Sequence, residues 1–108
     1  MSYNVKTISV FERQAKRLKK KFPSLKNEIQ ALINELKEGP TKGTPIGNDC
    51  YKIRIAIASK GKGKSGGARA ITHFVFKQST VYLLSIYDKT DIDNLSDKEI
   101  LDLVNFIP

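Results

Sequence analysis

The chain has 108 residues, 19 Lys and Arg against 11 Asp and Glu, a formal net charge of +8 and a pI near 9.7. That length allows one domain, residues 1–108, and its 40% hydrophobic content supports a buried core rather than a disordered tail. A single cysteine, Cys50, excludes an internal disulfide and argues against a Cys-based zinc site, and no apolar run is long enough to span a bilayer. The start of the chain also lacks the apolar stretch of a signal peptide. The expectation is a soluble, cytoplasmic protein that makes no membrane contact and has a polyanionic partner.

Residues 3–8 alternate and predict a short first strand. Ser9 and Glu12 have capping-box spacing, and Phe11, Ala15, Leu18 and Phe22 recur at helical spacing, predicting a helix over 10–21. The other face of that helix holds Arg13, Lys16, Arg17, Lys19, Lys20 and Lys21. After Pro23, with Ser24 as the expected cap, Leu25, Ile29, Leu32, Ile33 and Leu36 predict a second amphipathic helix. Residues 38–49, rich in Gly and Pro, read as a loop.

Residues 50–58, 69–77 and 80–87 then read as three strands. In the first of them Tyr51, Ile53, Ile55 and Ile57 lie on one face, with Lys52 and Arg54 on the other. Ser96 and Glu99 form a second capping box, opening a last helix through Phe106. The order β-α-α-β-β-β-α predicts an α+β fold of two layers, a mainly antiparallel sheet with helices packed on one face. The opposite face is then open for binding.

Charge is uneven along the chain. Residues 1–49 carry ten basic and five acidic side chains, residues 50–89 eight and one, and residues 90–108 one and five. The sheet block therefore holds most of the excess, and mutual repulsion there calls for a neutralising anion. Within it, residues 59–68 place Lys60, Lys62 and Lys64 alternately with Gly61 and Gly63. Two phosphate-binding patterns overlap this segment. Gly61, Gly63 and Gly66 match the spacing of a dinucleotide fingerprint, and Gly63-Lys64-Ser65 resembles the end of a Walker A loop. Both patterns require a helix N-terminus to follow, and a strand follows here. What remains is a hairpin tip whose glycines allow close approach of a phosphate backbone to the lysines.

This segment carries a resemblance. The element order, residues 51–54, residues 61–69 and residues 81–89 followed by Leu95-Ser96 resemble the RelE/ParE superfamily of toxin–antitoxin toxins, in its HigB/RelE-like branch. The resemblance covers essentially the whole chain and is most specific over 61–69. It implies the toxin of a type II toxin–antitoxin system, a metal-free endoribonuclease that cuts mRNA on the ribosome and uses no cofactor. Its implied partners are mRNA, the ribosome and a cognate antitoxin with a DNA-binding helix-turn-helix, operator DNA being reached only through the antitoxin complex. By position, the implied catalytic residues are Arg54, Lys64, Arg69 and Lys89, with Tyr87 nearby. Lys52, Lys60 and Lys62 are the candidate RNA-binding residues, and no residue is assigned to a metal.

Metal-free RNA cleavage needs a base for the ribose 2′-OH, an acid for the leaving 5′-oxygen and cations around the phosphorane. Arg54 and Arg69 suit the last task through their planar forks, and Arg69 is expected at the sheet rim, facing the phosphate. Lys89 or Tyr87 then serves as base or acid. The chain lacks the tyrosine near the C-terminus of the best-known RelE pattern, which leaves that choice open. His73, the only histidine, shares a strand face with Arg69 roughly 13 Å along, and reads as a surface or satisfied residue. Two other functions fit the same features. One is a ParE-like gyrase-directed toxin; the other is a non-catalytic nucleic-acid-binding module, which the basic helix 10–21 would serve.

Overall fold

The computed structural model describes residues 2–61, 63, 66–92 and 94–108. The chain opens with β1 (Asn4–Thr7), followed by α1 (Ser9–Lys21) and α2 (Leu25–Glu38). Phe11, Ala15 and Leu18 are the buried stripe of α1, and Leu25, Ile29, Leu32 and Leu36 that of α2, as the helical spacing predicts. The expected caps of these two helices do not form. Ile8 occupies the N-cap of α1, and Glu12 accepts from the Thr7 hydroxyl instead of reaching back to Ser9. Ser24 has helical backbone angles, and its hydroxyl bonds Glu28 and Ser59.

The segment expected to be loop contains a two-residue strand, β2 (Thr44–Pro45), paired with Tyr51 and Lys52. A two-residue strand is too short for alternation to register. β3 (Cys50–Ile55) ends three residues earlier than expected, and a 3₁₀ turn over Ala58–Lys60 follows. β4 (Ala68–Val75) and β5 (Thr80–Asp88) are joined by a second 3₁₀ turn, Phe76–Gln78. The last helix, α3 (Asp97–Val104), has the predicted capping box: Ser96 Oγ accepts from the Glu99 amide at 3.1 Å, and Glu99 accepts from the Ser96 amide at 2.9 Å.

The five strands form one sheet in the order β1-β5-β4-β3-β2, with β1 parallel to β5 and every other pair antiparallel. This is the expected α+β fold with a mainly antiparallel sheet. β5, second in that order and buried along its whole length, joins β1 to the hairpin strands. Beyond the end of β1 its exposed edge is covered by α1: Gln14 Oε1 accepts from the Ile86 amide at 3.0 Å and from the Ser85 hydroxyl at 2.9 Å. Ile53 and Ile55 meet α2 on one side of the sheet. The expectation that all helices pack on one face, leaving the other open, does not hold for the short α3: it covers part of the other side, where Ile100 closes a small cavity against Lys52, Ile71 and Tyr87.

Gly67 fixes where the hairpin re-enters the sheet. A Cβ there would lie 2.0 Å from the Ile55 carbonyl oxygen, so only glycine lets the two backbones approach. The Lys89 amide donates to the Gly67 carbonyl at 3.1 Å, tying the end of β5 to the same point.

Candidate functional site

Directly opposed residues of antiparallel strands project from the same sheet face. Arg54 of β3 stands opposite Arg69 of β4, and Arg69 opposite Tyr87 of β5, so three residues far apart in sequence form one cross-strand row. The next row holds Lys52, Ile71 and Ser85. The side chains of the row differ in access. Arg54 is exposed, whereas Arg69 is 4% and Tyr87 3% exposed. The expectation of Arg69 at a solvent-facing rim is therefore overturned. β4 begins at Ala68, so Arg69 is already inside the ladder between two strands, and its Nη1 donates to the Ala68 carbonyl at 3.0 Å. Lys52 is half-buried, and its Nζ donates to Asn94 Oδ1 at 3.0 Å, towards the start of α3. Lys89, also half-buried, follows β5 directly.

Lys60 departs furthest from its expected role. The sequence places it with the RNA-binding lysines of the hairpin tip, but its ammonium points inward, 2.5 Å from Asp88 Oδ1 and 5.4 Å from the centre of the Phe22 ring. The Lys60 side chain is 11% exposed and that of Asp88 1%. Asp88 also accepts from the Thr90 amide at 3.0 Å and the Thr90 hydroxyl at 2.9 Å, and Lys21 Nζ lies 3.9 Å from its second oxygen. Burial raises the Asp88 carboxyl, but the hydrogen bonds from Lys60 and Thr90 and the Lys60 charge outweigh it, holding the group below its ordinary value of 3.8. The root of the hairpin is pinned twice more. The Ser59 amide donates to Ser24 Oγ at 3.0 Å, and the Ala58 amide donates to Glu28 Oε2 at 2.6 Å.

Lys62 and Lys64 lie outside the described residues. His73 shares its row with Cys50, whose Sγ lies 3.5 Å from His73 Nδ1. Burial, with the nearby Asp49 charge, pushes the Cys50 thiol up to about 11, so it is no nucleophile at neutral pH. Among the described residues, no group of three or more His, Cys, Asp or Glu is placed to hold a metal ion.

Sequence reasoning missed Asp88. It is the only acidic residue among residues 50–89, and that isolation in a basic block was the available signal. A lone carboxylate there is a counter-charge.

The family described as the RelE toxin of the RelE/RelB toxin–antitoxin system matches residues 6–106. Among solved structures, a mutant of the E. coli toxin RelE in the free state aligns with a TM-score of 0.62 at 17% identity, covering 100% of both chains. The intact E. coli RelBE toxin–antitoxin complex gives 0.61 at 16% identity, covering 81% of this chain and 96% of the other. The toxin–antitoxin complex RelBE2 from Mycobacterium tuberculosis gives 0.59 at 15% identity, over 82% and 92%. Those structures share the fold, and the family match runs from within β1 to beyond α3. With the family model matching residues 6–106, nearly the whole length, the chain belongs to the RelE toxin family of toxin–antitoxin systems.

Proposed function

We propose that the chain is an endoribonuclease toxin that cleaves mRNA on the ribosome and is held inactive by a cognate antitoxin. The observation that carries the reading is the row Arg54–Arg69–Tyr87, flanked by Lys52 and Lys89. It sets cations and a phenol on one sheet face at the spacing of neighbouring strands, about 5 Å apart. In the proposed reaction the ribose 2′-oxygen attacks the adjacent phosphorus and the P–O5′ bond breaks. The products are a 2′,3′-cyclic phosphate and a 5′-hydroxyl. The exposed Arg54 binds the non-bridging oxygens as negative charge accumulates. Arg69, fixed in the ladder, supports that charge from beneath. Lys89 moves the proton from the 2′-OH to the leaving oxygen, while Tyr87, 3% exposed, positions the row from below rather than touching RNA, and Lys64 is assigned to the cationic set.

The antitoxin assignment is supported by the toxin–antitoxin complexes among the structural neighbours. In this reading operator DNA is reached only through that complex, and the toxin acts in the cytoplasm.

The test is to add the purified chain to programmed ribosomes and map the mRNA ends. Cleavage with 2′,3′-cyclic phosphate termini is expected, and Arg54→Ala should lower the rate about a hundred-fold or more while leaving the fold intact. Arg54 is the better target than Arg69, because truncating a buried arginine also removes packing. Uncut mRNA, with protein synthesis continuing while DNA replication stops in treated cells, would overturn the ribonuclease reading in favour of a gyrase-directed toxin.

A further inference from the structure

We propose that the outer face of α1 is a second RNA-binding surface, which takes the phosphodiester backbone of a base-paired RNA segment. The choice of RNA rests on the ribonuclease reading above; the surface itself rests on the distribution of accessible charge. The basic excess of the sequence is greatest in the sheet block, yet the fold withdraws part of it. Arg69 is buried and Lys60 is neutralised by Asp88. On α1 the reverse holds. Phe11, Ala15 and Leu18 face the core, and at 100° per residue Arg13, Lys16, Arg17 and Lys20 fall on the opposite side, all exposed. Among the described residues, none of these four has an acidic side chain within ion-pair distance, whereas Lys21 reaches Asp88 and Lys42 reaches Glu35.

Four unneutralised cations along about 10 Å of one rigid helix, at 1.5 Å rise per residue, repel one another in the free protein. The helix dipole accounts for cations in the last turn, Lys19 to Lys21, but not for Arg13, Lys16 and Arg17 further up. A line of phosphates relieves that repulsion and releases counterions. The face carries no aromatic side chain, so it offers no platform for unstacked bases. Recognition by backbone and shape alone suits a double-stranded segment rather than a single strand. Because this face points away from the sheet, one molecule would hold a folded RNA on its helical side and the strand to be cut on its sheet side. The second contact then raises the effective concentration of the first.

The test is binding of the whole chain to a short RNA duplex of arbitrary sequence, by filter binding or anisotropy across a salt series. The variant Arg13→Gln/Lys16→Gln/Arg17→Gln/Lys20→Gln keeps helix propensity and should fold. It should weaken duplex binding on the order of a hundred-fold near physiological salt and flatten the salt slope by about three units. A second variant, Lys6→Gln/Lys37→Gln/Lys77→Gln/Lys98→Gln, removes the same charge from exposed sites elsewhere and should change the slope little. The variant Arg13→Lys/Arg17→Lys, which keeps all four charges, should keep the slope of the unaltered chain, since point charges suffice. An unchanged slope in the α1 variant, or an equal loss in the control, would overturn the proposal. Duplex binding is read without cleavage, so failure of the chain to cut mRNA would sink the ribonuclease reading and leave this result interpretable. Cleavage of a short single strand at saturation should be unaffected by the α1 changes.

Discussion

Replacing Lys60 with methionine isolates the ion pair that anchors the hairpin. The substitution keeps an unbranched side chain and removes the ammonium from a carboxylate whose side chain is 1% exposed. Removing one partner of a buried pair typically costs 3–5 kcal/mol, because the other charge stays desolvated. Thr90 still donates two hydrogen bonds to Asp88, and Lys21 Nζ starts 3.9 Å from its other oxygen, so the lower end applies, about 3 kcal/mol. For a domain of this size that corresponds to a fall in Tm of roughly 12 °C. The double variant Lys21→Met/Lys60→Met removes the substitute cation and should cost more. The effect has a pH signature. The Asp88 carboxyl is depressed in the folded state, so its stabilisation is complete above its ordinary value of 3.8 and drains away as pH falls through the folded value. The gap between wild type and Lys60→Met should therefore be widest at neutral pH and close in strong acid. Urea denaturation at pH 7 and at pH 3 or below measures both. If both variants lie within 1 kcal/mol of wild type at pH 7, or the gap widens in acid, the anchoring argument is wrong.

Gly67→Ala should destabilise the chain by several kcal/mol or prevent folding, since its Cβ would sit 2.0 Å from the Ile55 carbonyl oxygen; soluble yield and circular dichroism report this. Gln14→Ala strands the Ile86 amide at the covered edge of β5 and should cost about 1–3 kcal/mol in urea denaturation. The Cys50 thiol, buried and raised to about 11, should resist alkylation by iodoacetamide at pH 8 in the folded protein and react readily in urea. Rapid labelling of the folded chain would show that its strand end opens.

Regular elements were legible where a period repeats. The stripes Phe11–Ala15–Leu18 and Leu25–Ile29–Leu32–Leu36 were read correctly because burial enforces helical spacing. Local polar chemistry was less legible, because a short hydroxyl has several partners within reach. Ser9 lost Glu12 to Thr7, and Ser24 engaged Ser59, 35 residues away. Of the candidate site, the shared face of Lys52 and Arg54 follows from strand parity, whereas their alignment with Arg69 and Tyr87 depends on the register between strands, which parity does not fix. Access does not follow from parity. Arg69 and Arg54 stand opposite each other, yet Arg69 is 4% exposed and Arg54 is open, a difference that alternation cannot express. Lys60 was assigned by its alternation with glycines, but its surroundings are set by Asp88 and Phe22, which join it only in three dimensions.

The parallel pairing of β1 with β5 bears on how the chain folds. Asn4 aligns with Thr80 and Thr7 with Leu83, so the first strand finds its place only after some 75 further residues are available. α1 and α2 are held by local contacts along the helix, but the sheet closes around an interior strand that is also the last strand in sequence. Non-local pairings of this kind slow folding, since loop-closure entropy is lost before the contacts reward it. An emerging chain therefore holds its apolar helical faces without the strand that covers them, and Tyr87 and Lys89 are delivered by that same late segment. The row of Arg54, Arg69 and Tyr87 therefore cannot be complete before β5 is in place.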